Sequence, residues 1–125
     1  MTLEHVNITV ADAKETAATL MKIFDWHIRW EGASMDEGYT VHVGTRESYL
    51  ALYNPAKAPG ASPEKYTRQG ALNHVGVVVS DLAQIETRVR AAGFEPHSHY
   101  DYEPGERFYF NGPDGVEYEV VSYAD

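Results

Sequence analysis

The sequence contains no cysteine among its 125 residues. This absence excludes disulfide bonds, thiolate metal sites and cysteine nucleophiles. Any metal ion that the chain binds must therefore be held by histidine, aspartate or glutamate side chains. The chain has 6 histidines and 19 acidic residues, and a functional site would depend on some of them.

Positive charge and long apolar segments are also scarce. The chain has 10 basic residues against 19 acidic ones, a formal net charge of −9, and no Lys/Arg cluster, which argues against nucleic acid and anionic membranes as partners. No apolar run approaches the roughly 18 to 20 residues needed to span a bilayer. The first ten residues lack the basic region and cleavage site of a secretory signal, so we expect a cytoplasmic protein.

What the chain does contain is an internal repeat. Residues 3–12, LEHVNITVAD, align without a gap with residues 72–81, LNHVGVVVSD, so that His5 matches His74 and Asp12 matches Asp81. Alternating apolar residues in each copy predict a strand that presents its histidine on the face away from the helix. The aspartate that follows is suited to capping that helix. The length suits one compact domain, which we interpret as two similar modules.

The remaining pattern predicts the same order of elements twice. In module one, residues 1–53, the predicted elements after the first strand are a helix at 12–24, strands at 26–30, 39–44 and 48–53, and a turn-rich connection at 31–38. Residues 54–71 are rich in Pro, Gly, Ala and Ser without periodicity, which indicates an ordered linker. In module two, residues 72–125, the predicted elements are strands at 72–79, 94–100, 107–111 and 116–123 and a helix at 81–92.

Both modules therefore have the order βαβββ. The predicted fold class is α+β, with the two modules in tandem forming a curved mixed sheet around a cleft and the helices on the outside.

The last strand carries two carboxylates, Glu117 and Glu119, on one face. We align the hairpins of the two modules by matching Gly44 with Gly112, which places Ala51 at the position that corresponds to Glu119. A symmetric site would have its fourth ligand at position 51, where this chain has an alanine.

Two imidazoles and one carboxylate, those of His5, His74 and Glu119, suffice for a three-ligand site for a divalent metal ion. Single histidines on strands are more often buried and hydrogen-bonded than metal-bound. A two-fold repeat, however, brings equivalent residues together across its axis, which favours the metal site.

Three segments, LEHVNITV, LNHVGVVVSDL and FYFNGPDGVEYEVVSY, resemble the vicinal oxygen chelate superfamily, which includes glyoxalase I, methylmalonyl-CoA epimerase, extradiol dioxygenases, fosfomycin-resistance proteins and bleomycin-binding proteins. The resemblance covers nearly the whole chain. It implies a paired βαβββ fold, a divalent metal ion in a U-shaped cleft, a small substrate chelated through adjacent oxygens, and a homodimer. By the family pattern, His5, His74 and Glu119 match metal-ligand positions.

The resemblance does not identify the reaction or the metal. Ala51 departs from the four-ligand pattern of the glyoxalase and epimerase branches, and a three-ligand set is closer to the dioxygenases and fosfomycin-resistance proteins. Six residues follow Glu119, without the Arg-containing C-terminal extension that the resemblance to the fosfomycin-resistance proteins implies. One divalent ion per chain is expected, and Fe, Mn, Zn, Ni and Co all remain open, as does whether the site lies within one chain or is shared across a dimer.

The catalytic candidates are Glu119, Tyr109 and His99. Alternation places Tyr109 on the Glu119 side, where it would orient a substrate oxygen or simply pack. His99 lies on a strand at the predicted cleft edge, where it would act as an acid or base near neutral pH. Glu117 is interpreted first as a solvated charge, with a general base or an alternative ligand left open. Three other histidines, which we interpret as structural or exposed, are His27, His97 and His42, the last on the helix-facing side.

Two function classes follow. The first is a metal-dependent enzyme, of lyase, isomerase or ring-cleaving dioxygenase type, that binds vicinal oxygens of a small substrate. The alternative is a metal-free protein resembling the bleomycin-resistance proteins that binds an aromatic or cationic small molecule.

Overall fold

The computed structural model describes residues 1–61 and 64–123. The chain forms two compact units, Met1–Gly60 and Ala61–Asp125, which we describe one at a time. In the described residues, no helix is long and apolar enough to cross a membrane.

The first unit is a four-stranded mixed sheet with one helix. Its elements are β1 (His5–Thr9), α1 (Ala13–Phe24), β2 (His27–Ala33), β3 (Tyr39–Gly44) and β4 (Tyr49–Asn54). The strand order is β1-β4-β3-β2, with β1 parallel to β4 and the other pairs antiparallel.

The helix α1 begins and ends where the sequence supplies caps. The Asp12 carboxylate accepts a hydrogen bond from the Glu15 N–H at 3.1 Å, and Asp25 ends the helix in a left-handed conformation. The apolar stripe of α1 packs on β3 and β4, and Leu20 and Ile23 are fully buried. Removing a side chain such as Leu20 from this core would cost about 2–5 kcal/mol.

The second unit repeats this topology. Its elements are β5 (Val75–Val78), α2 (Leu82–Ala91), β6 (His97–Tyr102), β7 (Gly105–Asn111) and β8 (Glu117–Tyr123). The strand order is β5-β8-β7-β6, with β5 parallel to β8. Asp81 caps α2 by accepting from the Gln84 N–H at 3.1 Å, as Asp12 does for α1. The predicted α+β fold, with two βαβββ modules in tandem, is confirmed.

Several predicted strand limits were wrong. The strand β2 continues to Ala33, into the segment predicted as a turn, because β2 pairs with β3 as far as Ala33 opposite Tyr39. The connection that remains is a short turn at Met35–Glu37, where Asp36 has a φ of 54°. β7 begins at Gly105, two residues earlier than predicted, because Gly105 pairs with Tyr123.

The strand register confirms that Ala51 and Glu119 occupy equivalent positions. Ala51 pairs with Asn7 on β1, and Glu119 pairs with Gly76 on β5, and Asn7 and Gly76 are equivalent in the repeat.

The match of Gly44 with Gly112 was nevertheless wrong by one residue. Gly44 pairs with Tyr49 as Asn111 pairs with Glu117, so Gly44 corresponds to Asn111 and not to Gly112. His42 therefore corresponds to Tyr109 and shares a face with Ala51. The prediction that His42 faces the helix was wrong.

Candidate functional site

A partly buried carboxylate, that of Glu119, forms the centre of the polar face of the second sheet. In β7, Phe108 and Phe110 are fully buried beneath α2, so the alternate residues point to the other face. There the Glu119 Oε2 atom accepts hydrogen bonds from Arg107 Nη1 at 2.8 Å and from the Tyr109 hydroxyl at 2.8 Å. The Glu119 and Arg107 side chains are only 14% and 11% exposed. The prediction that Tyr109 lies beside Glu119 is confirmed.

These contacts determine the charge of the cluster. Burial by itself would raise the pKa of Glu119, but the hydrogen bonds from Tyr109 and Arg107 and the positive charge of Arg107 outweigh it and lower that pKa. Burial and the hydrogen bond to Glu119 raise the pKa of Tyr109 to about 12. At neutral pH Glu119 is therefore an anion, and Tyr109 is a neutral hydrogen-bond donor.

His74, immediately before β5, lies on the other side of the same carboxylate. Its Nε2 atom is 3.6 Å from Glu119 Oε1, longer than a hydrogen bond. Its ring meets the edge of the Tyr109 ring at a centroid distance of 5.6 Å. The structure thus brings together two of the three predicted metal ligands, His74 and Glu119, within one unit.

Tyr66 and Glu117 lie behind His74. The Tyr66 hydroxyl donates a hydrogen bond to Glu117 Oε1 and lies 3.3 Å from His74 Nδ1. The hydrogen bond to Glu117, together with burial, raises the pKa of Tyr66 to about 12. Glu117, predicted first as a solvated charge, is partly exposed and accepts this hydrogen bond. Tyr66 was missed because it lies in the aperiodic linker, where no pattern distinguishes one tyrosine.

The first unit presents rings at the equivalent positions. His5 is stacked on Tyr49 at 5.0 Å, Tyr49 on His42 at 4.5 Å, and the Trp30 and His42 centroids are 5.1 Å apart. Ala51 is 2% exposed. The His5 Nδ1 atom lies 2.7 Å from Glu4 Oε1, so this histidine, the third predicted ligand, has a carboxylate partner in its own unit. Burial lowers the pKa of His42, which favours its neutral form.

The predicted position of His99 was wrong. A bulge between His97 and Tyr100, with Ser98 at a φ of 55°, reverses the alternation of β6. His97 consequently pairs with Tyr109 and stacks against its ring at 6.3 Å. His99 instead stacks on the buried Phe108 and contacts Glu86 of α2 at 3.1 Å. The expected role of His99 as an acid or base at the cleft edge therefore has no geometric support.

The donor set of the second unit is chemically suited to a divalent cation. The separation of 3.6 Å between His74 Nε2 and Glu119 Oε1 is close to that of two ligands on one tetrahedral ion with bonds of about 2.1 Å. The Glu119 carboxylate is anionic, and its second oxygen is oriented by Tyr109 and Arg107, as outer-shell partners orient metal ligands. Within the residues that the structure describes, no group of three His, Asp or Glu side chains is close enough together to hold a metal ion.

The fold is similar to that of solved structures of low sequence identity. A glyoxylase/bleomycin resistance protein/dioxygenase domain from Frankia sp. EAN1pec has 21% identity and a TM-score of 0.83, covering 99% of this chain and 98% of that one. A glyoxalase family protein from Enterococcus faecalis has 15% identity and a TM-score of 0.77, with 96% of each chain covered.

A third similar structure is the fosfomycin resistance protein FosX from Listeria monocytogenes, complexed with Mn(II) and sulfate. It has 18% identity and a TM-score of 0.73, covering 98% of this chain and 93% of that one. No curated protein matches the chain in sequence. A family model, however, matches residues 2–120, nearly the full length, and the chain belongs to the family that it describes, the Glyoxalase/Bleomycin resistance protein/Dioxygenase superfamily.

Proposed function

We propose that the protein is a metal-dependent enzyme in which His5, His74 and Glu119 hold one divalent ion. The observation that carries the proposal is the hydrogen bonding of the two histidines. The Nδ1 atom of each faces an acceptor, Glu4 Oε1 for His5 and the Tyr66 hydroxyl for His74. A neutral imidazole whose Nδ1 donates a hydrogen bond keeps a lone pair on Nε2, the atom that a metal ion would take.

The His74–Glu119 pair supports the same conclusion. A bare Nε2 and an anionic Oε1 are both electron-pair donors, and at a separation of 3.6 Å both could coordinate one divalent ion placed between them. The FosX structure with Mn(II) supports the metal ion as the occupant in a protein of this fold.

The other residues of the cluster would act on the substrate. A bound divalent ion would supply a Lewis acid for adjacent substrate oxygens. Tyr109 keeps its proton at neutral pH and, by donating it to Glu119 Oε2 at 2.8 Å, would hold that carboxylate in position beside the substrate. Arg107 contributes a positive charge, and its Nε is buried without a hydrogen-bond partner among the described residues. This positive charge favours a substrate with an anionic or strongly polar oxygen beside the chelating pair.

A metal-free binding protein is the second candidate, and the Arg107–Glu119 ion pair favours it. Arg107 already neutralises Glu119 at 2.8 Å, so the carboxylate does not require a metal ion for its charge. The ring stack of the first unit, with Trp30 50% exposed, would suit a planar aromatic ligand.

Metal content distinguishes the two candidates. Protein purified without chelator or nickel affinity resin should bind about one divalent ion per chain after reconstitution, by elemental analysis and calorimetry. His74→Ala and Glu119→Gln should each weaken binding by a large factor. His99→Ala removes an imidazole from the opposite face of the same sheet and should leave binding unchanged. Equal metal affinity in wild type and His74→Ala would contradict the assigned site.

A further inference from the structure

Tyr66 is held in an uncommon backbone conformation. Its φ of 70° lies in the left-handed region, which bulky residues rarely adopt. The Asn73 side chain accepts a hydrogen bond from the Tyr66 N–H at 2.6 Å, which ties the linker to the residue before His74. Strain of this kind persists where the surroundings impose it, often at functional sites.

The hydrogen-bonding capacity of its two neighbours assigns the proton of the Tyr66 hydroxyl. The hydroxyl has one proton, and the ionised carboxylate of Glu117 can only accept a hydrogen bond. The Tyr66 proton therefore goes to Glu117. The same oxygen can then only accept from His74 Nδ1, 3.3 Å away, so that this nitrogen carries the proton of the neutral ring.

We propose that Tyr66 and Glu117 are positioning residues that hold His74 in its Nδ1–H tautomer and so direct an unprotonated Nε2 toward Glu119. The benefit of this arrangement rests on the proposed metal-binding function, because the unprotonated nitrogen is the ligand. The tautomer itself is a property of the metal-free protein and can be tested there. His5 reaches the same state by a direct contact with Glu4, without a tyrosine between.

Two substitutions, Tyr66→Phe and Glu117→Leu, test this hydrogen-bond relay, which runs from Glu117 through Tyr66 to His74. Without the Tyr66 hydroxyl, Nδ1 loses its acceptor. Without the Glu117 carboxylate, the Tyr66 proton is free to point at Nδ1 and would exclude a proton there. Both changes should move His74 toward the Nε2–H tautomer, which a free imidazole prefers.

The measurement is the imidazole 15N spectrum of metal-free, 15N-labelled protein about two units above the ordinary histidine pKa of about 6.5. Wild type should show Nδ1–H for His74, and both variants should show a shift to Nε2–H. Tyr39→Phe is the matched control, because it removes a tyrosine–carboxylate hydrogen bond, to Glu31 at 2.7 Å, from the other unit. It should leave His74 unchanged.

An Nε2–H tautomer in wild type, or an unchanged Nδ1–H tautomer in a folded Tyr66→Phe or Glu117→Leu variant, would overturn the proposal. Calorimetric titration with zinc provides a second measurement, in which Tyr66→Phe should bind about 10–100-fold more weakly than wild type. If wild type binds no metal ion but shows the expected tautomers, the relay stands and the proposed metal-binding function fails.

Discussion

The two units share a backbone plan and differ on one face of the sheet. Both have the same strand order, and both begin their helix with an aspartate cap. The faces that pack on the helices are apolar in both, with Val41 and Leu52 in one unit and Phe108 and Val120 in the other fully buried.

The opposite faces have diverged. The first unit has Thr40, His42 and Ala51 where the second has Arg107, Tyr109 and Glu119, as the strand registers show. The core face cannot change without loss of packing, whereas the other face carries a charge where a partner neutralises it, as Arg107 does for Glu119. The repeat therefore preserves the scaffold and one histidine per unit, whereas the Arg107–Glu119 ion pair is specific to the second unit.

The largest expected effect comes from giving the second unit the residue of the first. Glu119→Ala leaves the Arg107 guanidinium, 11% exposed, without its partner. Breaking one half of this partly buried pair should lower the free energy of unfolding by more than the loss of a helix cap does, measurable by urea unfolding. The double variant Glu119→Ala with Arg107→Thr removes both charges and should recover most of that loss. If the double variant is as unstable as the single one, the unpaired charge is not the cause.

The reverse exchange should also destabilise the protein. Ala51→Glu introduces a carboxylate at a position that is 2% exposed and has Thr40 where the second unit has Arg107. A buried, unpaired charge lowers the free energy of unfolding by several kcal/mol. An interaction of the new carboxylate with the neighbouring His42 would reduce this loss. Adding Thr40→Arg should restore part of the stability. Equal urea midpoints for Ala51→Glu and wild type would show that the carboxylate escapes to solvent and that the two positions are not equivalent in burial.

Acid should reduce the contribution of the Glu119 cluster. The pKa of Glu119 is lowered in the folded protein from its ordinary value of 4.5, so the unfolded chain binds the proton more tightly. The stabilisation is present above about pH 4.5 and is lost as the pH falls through the lowered folded pKa. The difference in unfolding free energy between wild type and Glu119→Gln should therefore shrink below pH 4.5. A constant difference from pH 7 to pH 3 would contradict the assigned ion pair.

The smallest expected effect concerns the feature that the units share. Asp12→Ala and Asp81→Ala each remove one helix cap, with hydrogen bonds of 3.1 Å in both cases. Each should cost about 1 kcal/mol, by the same urea measurement. A large difference between the two would show that the caps are not equivalent despite their identical geometry. Neither variant should alter the Glu119 cluster.

The sequence predicted most of the scaffold because its local signals agree. Alternation, apolar helical spacing and the two aspartate caps indicate the same elements, and the gapless repeat identifies His5 with His74. The position of Tyr109 beside Glu119 also followed from alternation, because a strand has a period of two residues, and that of Ala51 followed from the alignment of the two modules. A register error of one residue in the hairpin reversed the face of His42.

The sequence by itself determined the two βαβββ modules, the histidine pair and the carboxylate of Glu119, since these depend on local periodicity and on the repeat. Only the tertiary structure decided which side chains accompany them. The bulge at Ser98 placed His97, and not His99, beside Tyr109. The left-handed backbone conformation at Tyr66 brought this linker residue to His74. Arg107 met Glu119 across neighbouring strands. Contacts between residues distant in the chain depend on register, bulges and loop paths, which cooperative packing sets and which leave no periodic trace in the sequence.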